Sequence, residues 1–410
     1  MTHDLMTFST HVLPSGLRLF FQHRPLPFFG SKLVVHGGNR HDPPGKEELM
    51  HLLEHLLSSG TAGMPRMSLM ELERWLKAQR FDCSLGETHL DYSAYGGKAS
   101  VAKLEPLLGF LRGLTLSPTL DSDLEKERDI IRREREESAS PEERETARVR
   151  RRAVYGAHRL AQVDGWAEDA VLDGLTLADA RKAHDRYYHP ANMSLVVVGG
   201  VDEDALLAAA ERLFPPGREG YEKPARPEPL SFGVPEPREY LQKKDGRVTK
   251  IEVRYLWHLP PGGRLPLIMA RNALSESLLD RIRERLRATY SVAVDDMAFA
   301  DHRVLTVVTQ VAPKKAELAR SIIDETMRDA AAAAAALPRL KEEYRLALEF
   351  LELDVDETVE RAVMAVNVSG RPRSVAELQA ALDATAEDDV LRLMTSHLDP
   401  GRAFVELVEE

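Results

Sequence analysis

The sequence predicts an α+β protein built of two similar halves joined by a linker. Strand-like segments followed by helix-like segments occur twice along the chain, the pattern of two α+β domains. Between the two runs, Pro215 to Pro237 carry prolines, glycines and charges with no apolar period, as in a semi-rigid linker. At 410 residues the chain exceeds what one ordinary core serves. The expected division is an N-terminal domain at 1–216, a linker at 217–237 and a C-terminal domain at 238–410.

In the first half, Leu17 to Gln22 is apolar and aromatic after a Pro-Ser-Gly turn, and Lys32 to His36 is a second strand-like run ending at Gly37-Gly38. Glu47 to Ser58 reads as a helix closed by Gly60-Thr61. Ser68 to Ala78 reads as another, with Ser68 as N-cap. Thr88 to Tyr95 alternates like a strand. Leu104 to Leu114 and Asp121 to about Ala153 read as helices. Met193 to Val198 is a buried-type strand, and Asp202 to Leu213 a helix stopped by Pro215.

In the second half, Thr249 to Leu256, Tyr290 to Val294 and Val304 to Val311 are strand-like. Arg264 to Leu286, Ala316 to Leu337, Leu340 to Leu353 and Ser374 to His397 are mainly helical, the alanine run ending at Pro338.

The formal charge of −11 argues against nucleic acid as a partner. The most basic stretch, Glu125 to Arg152, mixes both signs and reads as a solvated helical face. No run approaches the ~20 apolar residues of a membrane span. The N-terminus shows no signal peptide, so the cytoplasm is the expected location. Cys83 is the single cysteine, which excludes an intramolecular disulfide; it reads as a packing residue rather than a reactive thiol.

The most informative stretch is His51-Leu-Leu-Glu54-His55. On a helix, residues four apart share a face, so His51 and His55 can bring two imidazoles to one ion, with Glu54 beside them. Zinc suits such nitrogen donors and activates a water for which Glu54 is the base. The order H-x-x-E-H is that of the inverzincins. Manganese or cobalt could occupy a similar site. A third protein ligand is needed. Glu127 and Glu134, seven apart on one predicted helical face with Ile130 and Ile131 between them, are candidates for a ligand and a carboxylate that orients a histidine.

With these residues in view, the chain resembles the pitrilysin family of zinc peptidases, which includes insulin-degrading enzyme and mitochondrial processing peptidase. The resemblance covers nearly the whole chain. Glu127-Arg-Asp-Ile-Ile-Arg-Arg-Glu134 matches the family's second motif, which implies Glu134 as third ligand and Glu127 as its supporting carboxylate. The 79 residues from His55 to Glu134 are slightly more than usual, implying a small insertion. Tyr155-Gly-Ala-His158 and Tyr188-His-Pro190-Ala-Asn192-Met193 resemble further family segments. Ile282-Arg283 through Tyr290-Ser-Val292 resembles the segment whose Arg and Tyr hold the substrate carbonyl and its developing oxyanion, implying those roles for Arg283 and Tyr290. One departure stands out. Leu85-Gly86 occupies the place of an Asn-Ala pair in the edge strand that binds substrate, which puts substrate anchoring and specificity in doubt. The segment around Cys83 still offers an edge for an added peptide strand.

The resemblance implies that each half is a sandwich of an antiparallel sheet and helices. It implies one zinc per chain and a zinc endopeptidase acting on peptides or unfolded segments in a chamber between paired halves. Because this chain carries both motifs, a homodimer is expected, with Arg283 and Tyr290 of one subunit completing the site on the other. The alternatives are a weakly active subunit of a heterodimer with a second family member, a dedicated processing peptidase, and a non-enzymatic scaffold; the intact four-residue motif argues against the last.

Overall fold

A computed structural model describes residues 7–58, 67–121, 123–163, 166–226, 230, 233–235, 238–261, 264–287, 289, 291–351 and 353–410. The chain forms two compact units. The first comprises Met1–Pro141, Gln162–Arg226 and Phe350–Ala376; the second comprises Glu142–Ala161, Pro227–Glu349 and Glu377–Glu410.

Among the described residues, the first unit has a six-stranded sheet of β1 (Ser9–Val12), β2 (Arg18–His23), β3 (Phe28–Val35), β4 (Asp82–Thr88), β5 (Ser93–Ser100) and β6 (Met193–Gly199), in the order β1-β2-β6-β3-β5-β4. Only the β2–β6 pair is parallel. The second unit has β7 (Glu239–Gln242), β8 (Ile251–Leu259), β9 (Val292–Ala298), β10 (Arg303–Val311) and β11 (Phe404–Glu409), in the order β7-β11-β8-β10-β9, with only β7–β11 parallel. Matching β2 through β6 to β7 through β11 in chain order reproduces both the spatial order and every strand direction. The expected duplication is thus present strand for strand, although no identity between the halves is evident in the sequence.

Five helices bear on the placement of the polar side chains: α1 (Leu49–Ser58), α2 (Leu124–Ser138), α3 (Pro141–Tyr155), α4 (Arg264–Leu278) and α5 (Val355–Ser369). The first sheet is apolar on both faces. Leu19, Phe21, Leu33, Leu195 and Val197 join the core that buries α1. Their alternate neighbours Phe20, Val34, Val196 and Val198 point the other way and are covered by α5 through Val355, Val359, Ala362, Val363 and Val366. Two ion pairs fix that cover: Lys32 to Glu360 at 2.6 Å and Lys98 to Asp356 at 2.6 Å. Gly30 on β3 lets the helix approach, because a Cβ there would lie 3.0 Å from Cγ1 of Val355.

Several expectations need correction. The division at 1–216, 217–237 and 238–410 differs from the two compact units, because α5 lies late in sequence yet packs on the first sheet, while α3 lies early yet belongs to the second unit. Thr88 to Tyr95 is not one strand: β4 ends at Thr88 and β5 starts at Ser93, with the His89–Tyr92 turn closing a hairpin. Asp121 to Ala153 is two helices, broken at Ala139–Ser140 because the residue before Pro141 disfavours helical backbone. Ala316 to Leu337 is also divided, at Asp329, whose side chain caps the alanine segment. Ser68 caps Leu69–Gln79 as expected, and the Glu71 carboxylate accepts from the Ser68 N–H in return. The proposed helix end at Gly60-Thr61 lies outside the described residues.

Among the described residues no helix is long and apolar enough to cross a membrane. Val363 is fully buried between α5 and the sheet. Val363→Ala is expected to cost about 2 kcal/mol, read as a shifted urea midpoint with an unchanged slope; an unchanged midpoint would mean that α5 does not cover this face in solution.

Candidate active site

α1 is apolar on almost every side. Leu49, Met50, Leu52, Leu53, Leu56 and Leu57 are all buried. Its polar residues are the stripe of His51, Glu54 and His55, with Ser58 at the end, and all are partly buried. The helix start is tied down by Asp42, whose Oδ1 accepts from the Met50 N–H at 2.9 Å.

α2 faces that stripe. It is capped by Asp123, whose side chain accepts from the Lys126 N–H, and it is broken before Pro141. Ile131 is buried, and Glu127 on the same side is buried with it. The seven-residue spacing then brings Glu127 and Glu134 to α1.

The three side chains His51, His55 and Glu134 converge. Nε2 of His51 lies 3.2 Å from Nε2 of His55. Oε2 of Glu134 lies 3.5 Å from the first and 3.4 Å from the second. A tetrahedral ion with bonds of about 2.0–2.1 Å has donor atoms about 3.3–3.4 Å apart. The triangle therefore fits a zinc ion, and two nitrogens with one carboxylate oxygen suit its chemistry. Each imidazole also has a carboxylate at its other nitrogen. Nδ1 of His51 donates to Oε2 of Glu48 at 2.8 Å, and Nδ1 of His55 lies 3.5 Å from Oε2 of Glu127. In the neutral, metal-binding form of the imidazoles, protons kept on Nδ1 would leave both Nε2 lone pairs facing Glu134.

Charge follows the geometry. Burial alone would lower the His51 pKa, but hydrogen bonds to Glu134 and Glu48 outweigh it and push the value up to about 10. Burial likewise opposes, and Glu127 and Glu134 raise, the His55 value, to about 9. Hydrogen bonds from both imidazoles hold Glu134 down at about 2. Glu54 is raised by burial, against the pull of the two histidines and of Thr88, whose Oγ1 donates to its Oε2 at 3.1 Å. A buried carboxylate with a raised pKa is suited to accept a proton.

Glu54 also lies against β4. A Cβ at Gly86 would fall 2.5 Å from its Cγ and 2.7 Å from its Oε1. The departure at Leu85-Gly86 thus has a local effect: the missing side chain gives the Glu54 carboxylate its space. β4 is the edge strand of its sheet, irregularly paired with β5 between Ser84 and Glu87. Cys83 packs partly buried beside Gly97, and burial pushes its thiol pKa up to about 12, far from a reactive thiolate.

Of the other expected residues, Arg283 sits in the second unit, in a π-helical turn at Leu279–Arg285, with Nε 3.3 Å from Oε1 of Glu284. Tyr290 lies outside the described residues. Sequence reasoning missed Glu48, although its spacing of three before His51 was a signal, and it missed the role of Trp166, whose ring centroid lies 5.6 Å from that of His51.

Known proteins are similar to this chain in sequence and in fold. Residues 21–163 match the model of the insulinase family, peptidase family M16, and residues 174–344 match the model described as the peptidase M16 inactive domain. An uncharacterized zinc protease of Mycobacterium tuberculosis is 26% identical over 318 residues, covering 74% of this chain and 70% of that protein. The mitochondrial-processing peptidase subunit beta of Caenorhabditis elegans is 26% identical over 205 residues, covering 49% of this chain and 43% of that protein. Cytochrome b-c1 complex subunit 1 of Rattus norvegicus is 28% identical over 218 residues, covering 53% and 44%. This chain therefore spans less than half the length of these last two relatives. Among solved structures, a protease from Helicobacter pylori superposes with a TM-score of 0.82 at 18% identity, covering 99% of this chain and 100% of that one. The ferredoxin protease FusC, in complex with Arabidopsis ferredoxin, gives 0.69 at 16% identity, covering 99% and 48%. At these identities the structural likeness speaks to the fold.

The raised histidines make a signed prediction for the metal-free protein. Their contribution to stability is complete below the unfolded value of about 6.5 and is lost as pH rises through about 9 to 10. Thermal denaturation from pH 6 to 10 should show falling stability, and Glu134→Gln should flatten that fall. An equally steep fall in the variant would break the assignment to this cluster.

Proposed function

Because the chain belongs to the insulinase family, peptidase family M16, we propose that it is a zinc-dependent endopeptidase that hydrolyses peptides or unfolded segments. The observation that carries this is the donor triangle of His51, His55 and Glu134 with partly buried Glu54 on the same helix face. His51, His55 and Glu134 hold the metal, and Glu127 steadies His55. Zinc held there supplies Lewis acidity toward water and a peptide carbonyl.

The protein's own groups do the rest. An extended peptide adds to the edge of β4, which runs past Glu54 at Gly86. With no side chain at position 86, main-chain pairing bears the anchoring, and Leu85 packs back on the core rather than outward. Glu54 accepts the proton of the attacking water and returns it to the leaving amine, while Thr88 holds one of its oxygens in place.

The reading includes a homodimer in which the Arg283 guanidinium and the Tyr290 phenol of one subunit stabilise the oxyanion that develops on the other. A second reading, a weakly active subunit of a heterodimer, draws on the matches to proteins named as subunits of mitochondrial-processing peptidase and of the cytochrome b-c1 complex.

The test is to incubate zinc-loaded wild type and Glu54→Gln with a mixed set of unstructured peptides and to read fragments by mass spectrometry. Cleavage by wild type alone is expected; cleavage by neither would overturn a self-sufficient peptidase and favour the subunit reading. A mixing experiment addresses the dimer. Glu54→Gln and Arg283→Ala proteins, each inactive alone, should regain part of the wild-type activity when re-associated, because a mixed dimer then holds one complete site. No recovery from a mixture proven to exchange subunits would rule out contribution across the dimer.

A further inference from the structure

Glu48 combines two unfavourable features. Its φ is +72°, in the left-handed region where a Cβ is costly and glycine is the natural occupant. Its carboxylate is also buried, with the side chain 4% exposed. Starting α1 does not require a carboxylate here. The Glu48 carbonyl accepts from the Leu52 N–H at 2.8 Å, a bond any residue makes, and Asp42 already serves the Met50 N–H.

Both carboxylate oxygens are committed inside the fold. Oε2 accepts from Nδ1 of His51 at 2.8 Å, and Oε1 accepts from the Ala167 N–H at 3.2 Å. The second bond ties the carboxylate to the segment whose Trp166 ring packs beside the His51 imidazole. His51 is therefore gripped on its Nδ1 edge by Glu48 and flanked by Trp166, while its Nε2 faces Glu134 and His55. The equivalent support of His55 by Glu127 is looser, at 3.5 Å.

We propose that Glu48 is a positioning residue for His51: its carboxylate, anchored on the Ala167 N–H, keeps the proton on Nδ1 and sets the ring plane so that Nε2 is presented to the metal. The proposal rests on the metal site described under the proposed function. The backbone strain at position 48 is tolerated because a residue at this point of the chain, with this φ, aims a side chain at the back of His51. A glycine would relax the turn and lose the grip.

The two effects separate experimentally. Glu48→Gly and Glu48→Gln are compared with wild type by zinc competition against a chromogenic chelator, by thermal unfolding of the metal-free protein, and by NMR of imidazole N–H protons in the zinc-loaded state. Glu48→Gly should bind zinc about 10- to 100-fold more weakly and should lose the slowly exchanging Nδ1–H resonance of His51, at temperatures where thermal unfolding shows the metal-free variant still folded. Glu48→Gln, which keeps one acceptor oxygen, should fall between the two and decides the matter if the glycine variant does not fold. Wild-type zinc affinity in these variants, or an affinity lost only in the fraction of protein that is unfolded, overturns the role of Glu48. Glu134→Gln separates this from failure of the site itself: if wild type takes up no zinc, or Glu134→Gln binds it as tightly, the metal site is wrong and not merely its support.

Discussion

The burial of α1 is the constraint on which the rest of the first unit depends. Six of its ten residues are buried, so the helix is enclosed by core on all but one side. His51, Glu54 and His55 occupy that side, where unsatisfied polar groups would be costly. Every group that answers them comes from elsewhere in the chain: Glu134 and Glu127 from α2, Thr88 from β4, and Glu48 from the turn before the helix. The site is the polar seam left by apolar packing, and its precision derives from the rigidity of that packing.

The duplicated topology shows how little the fold alone decides. α4 comes after β8 as α1 comes after β3, and each precedes the edge strand of its sheet. Yet α4 carries no histidine, and its buried residues, including Leu267, Ile268, Met269 and Leu274, serve only the core. Among the described residues, only the first unit brings together a group of side chains that could hold a metal ion, although the second repeats its strand order. Function resides in which side chains interrupt the apolar surface of one helix, not in the sheet order that supports it.

Charge at the site is self-consistent. Four carboxylates surround two imidazoles, and the histidines are raised while Glu134 is depressed, so the cluster is held together by ion pairing when no metal neutralises it. Glu54 is raised instead, because burial dominates there. The environment thus separates a carboxylate that stays ionised from one that readily takes a proton.

What the sequence determined by itself was local. The four-residue spacing of His51 and His55, the seven-residue spacing of Glu127 and Glu134, the cap at Ser68 and the alternating strands all derive from helix and strand periods, which act within one or two turns. The helix break before Pro141 is equally local, since proline restricts the residue that precedes it, although the pattern from Asp121 to Ala153 reads as a single helix through it. α5 is not among the helices expected from the sequence, where the stretch between Leu353 and Ser374 is unassigned; its apolar residues at 355, 359, 362, 363 and 366 have a helical period, but which sheet they cover is decided by surfaces far apart in the chain. The tertiary structure alone decided that Glu48 leaves the helix at φ +72° to reach His51, that Gly86 makes room for Glu54, and that α3 and α5 exchange between the two units. These are outcomes of packing between distant segments, where the free energy depends on which surfaces meet, and no local period encodes that.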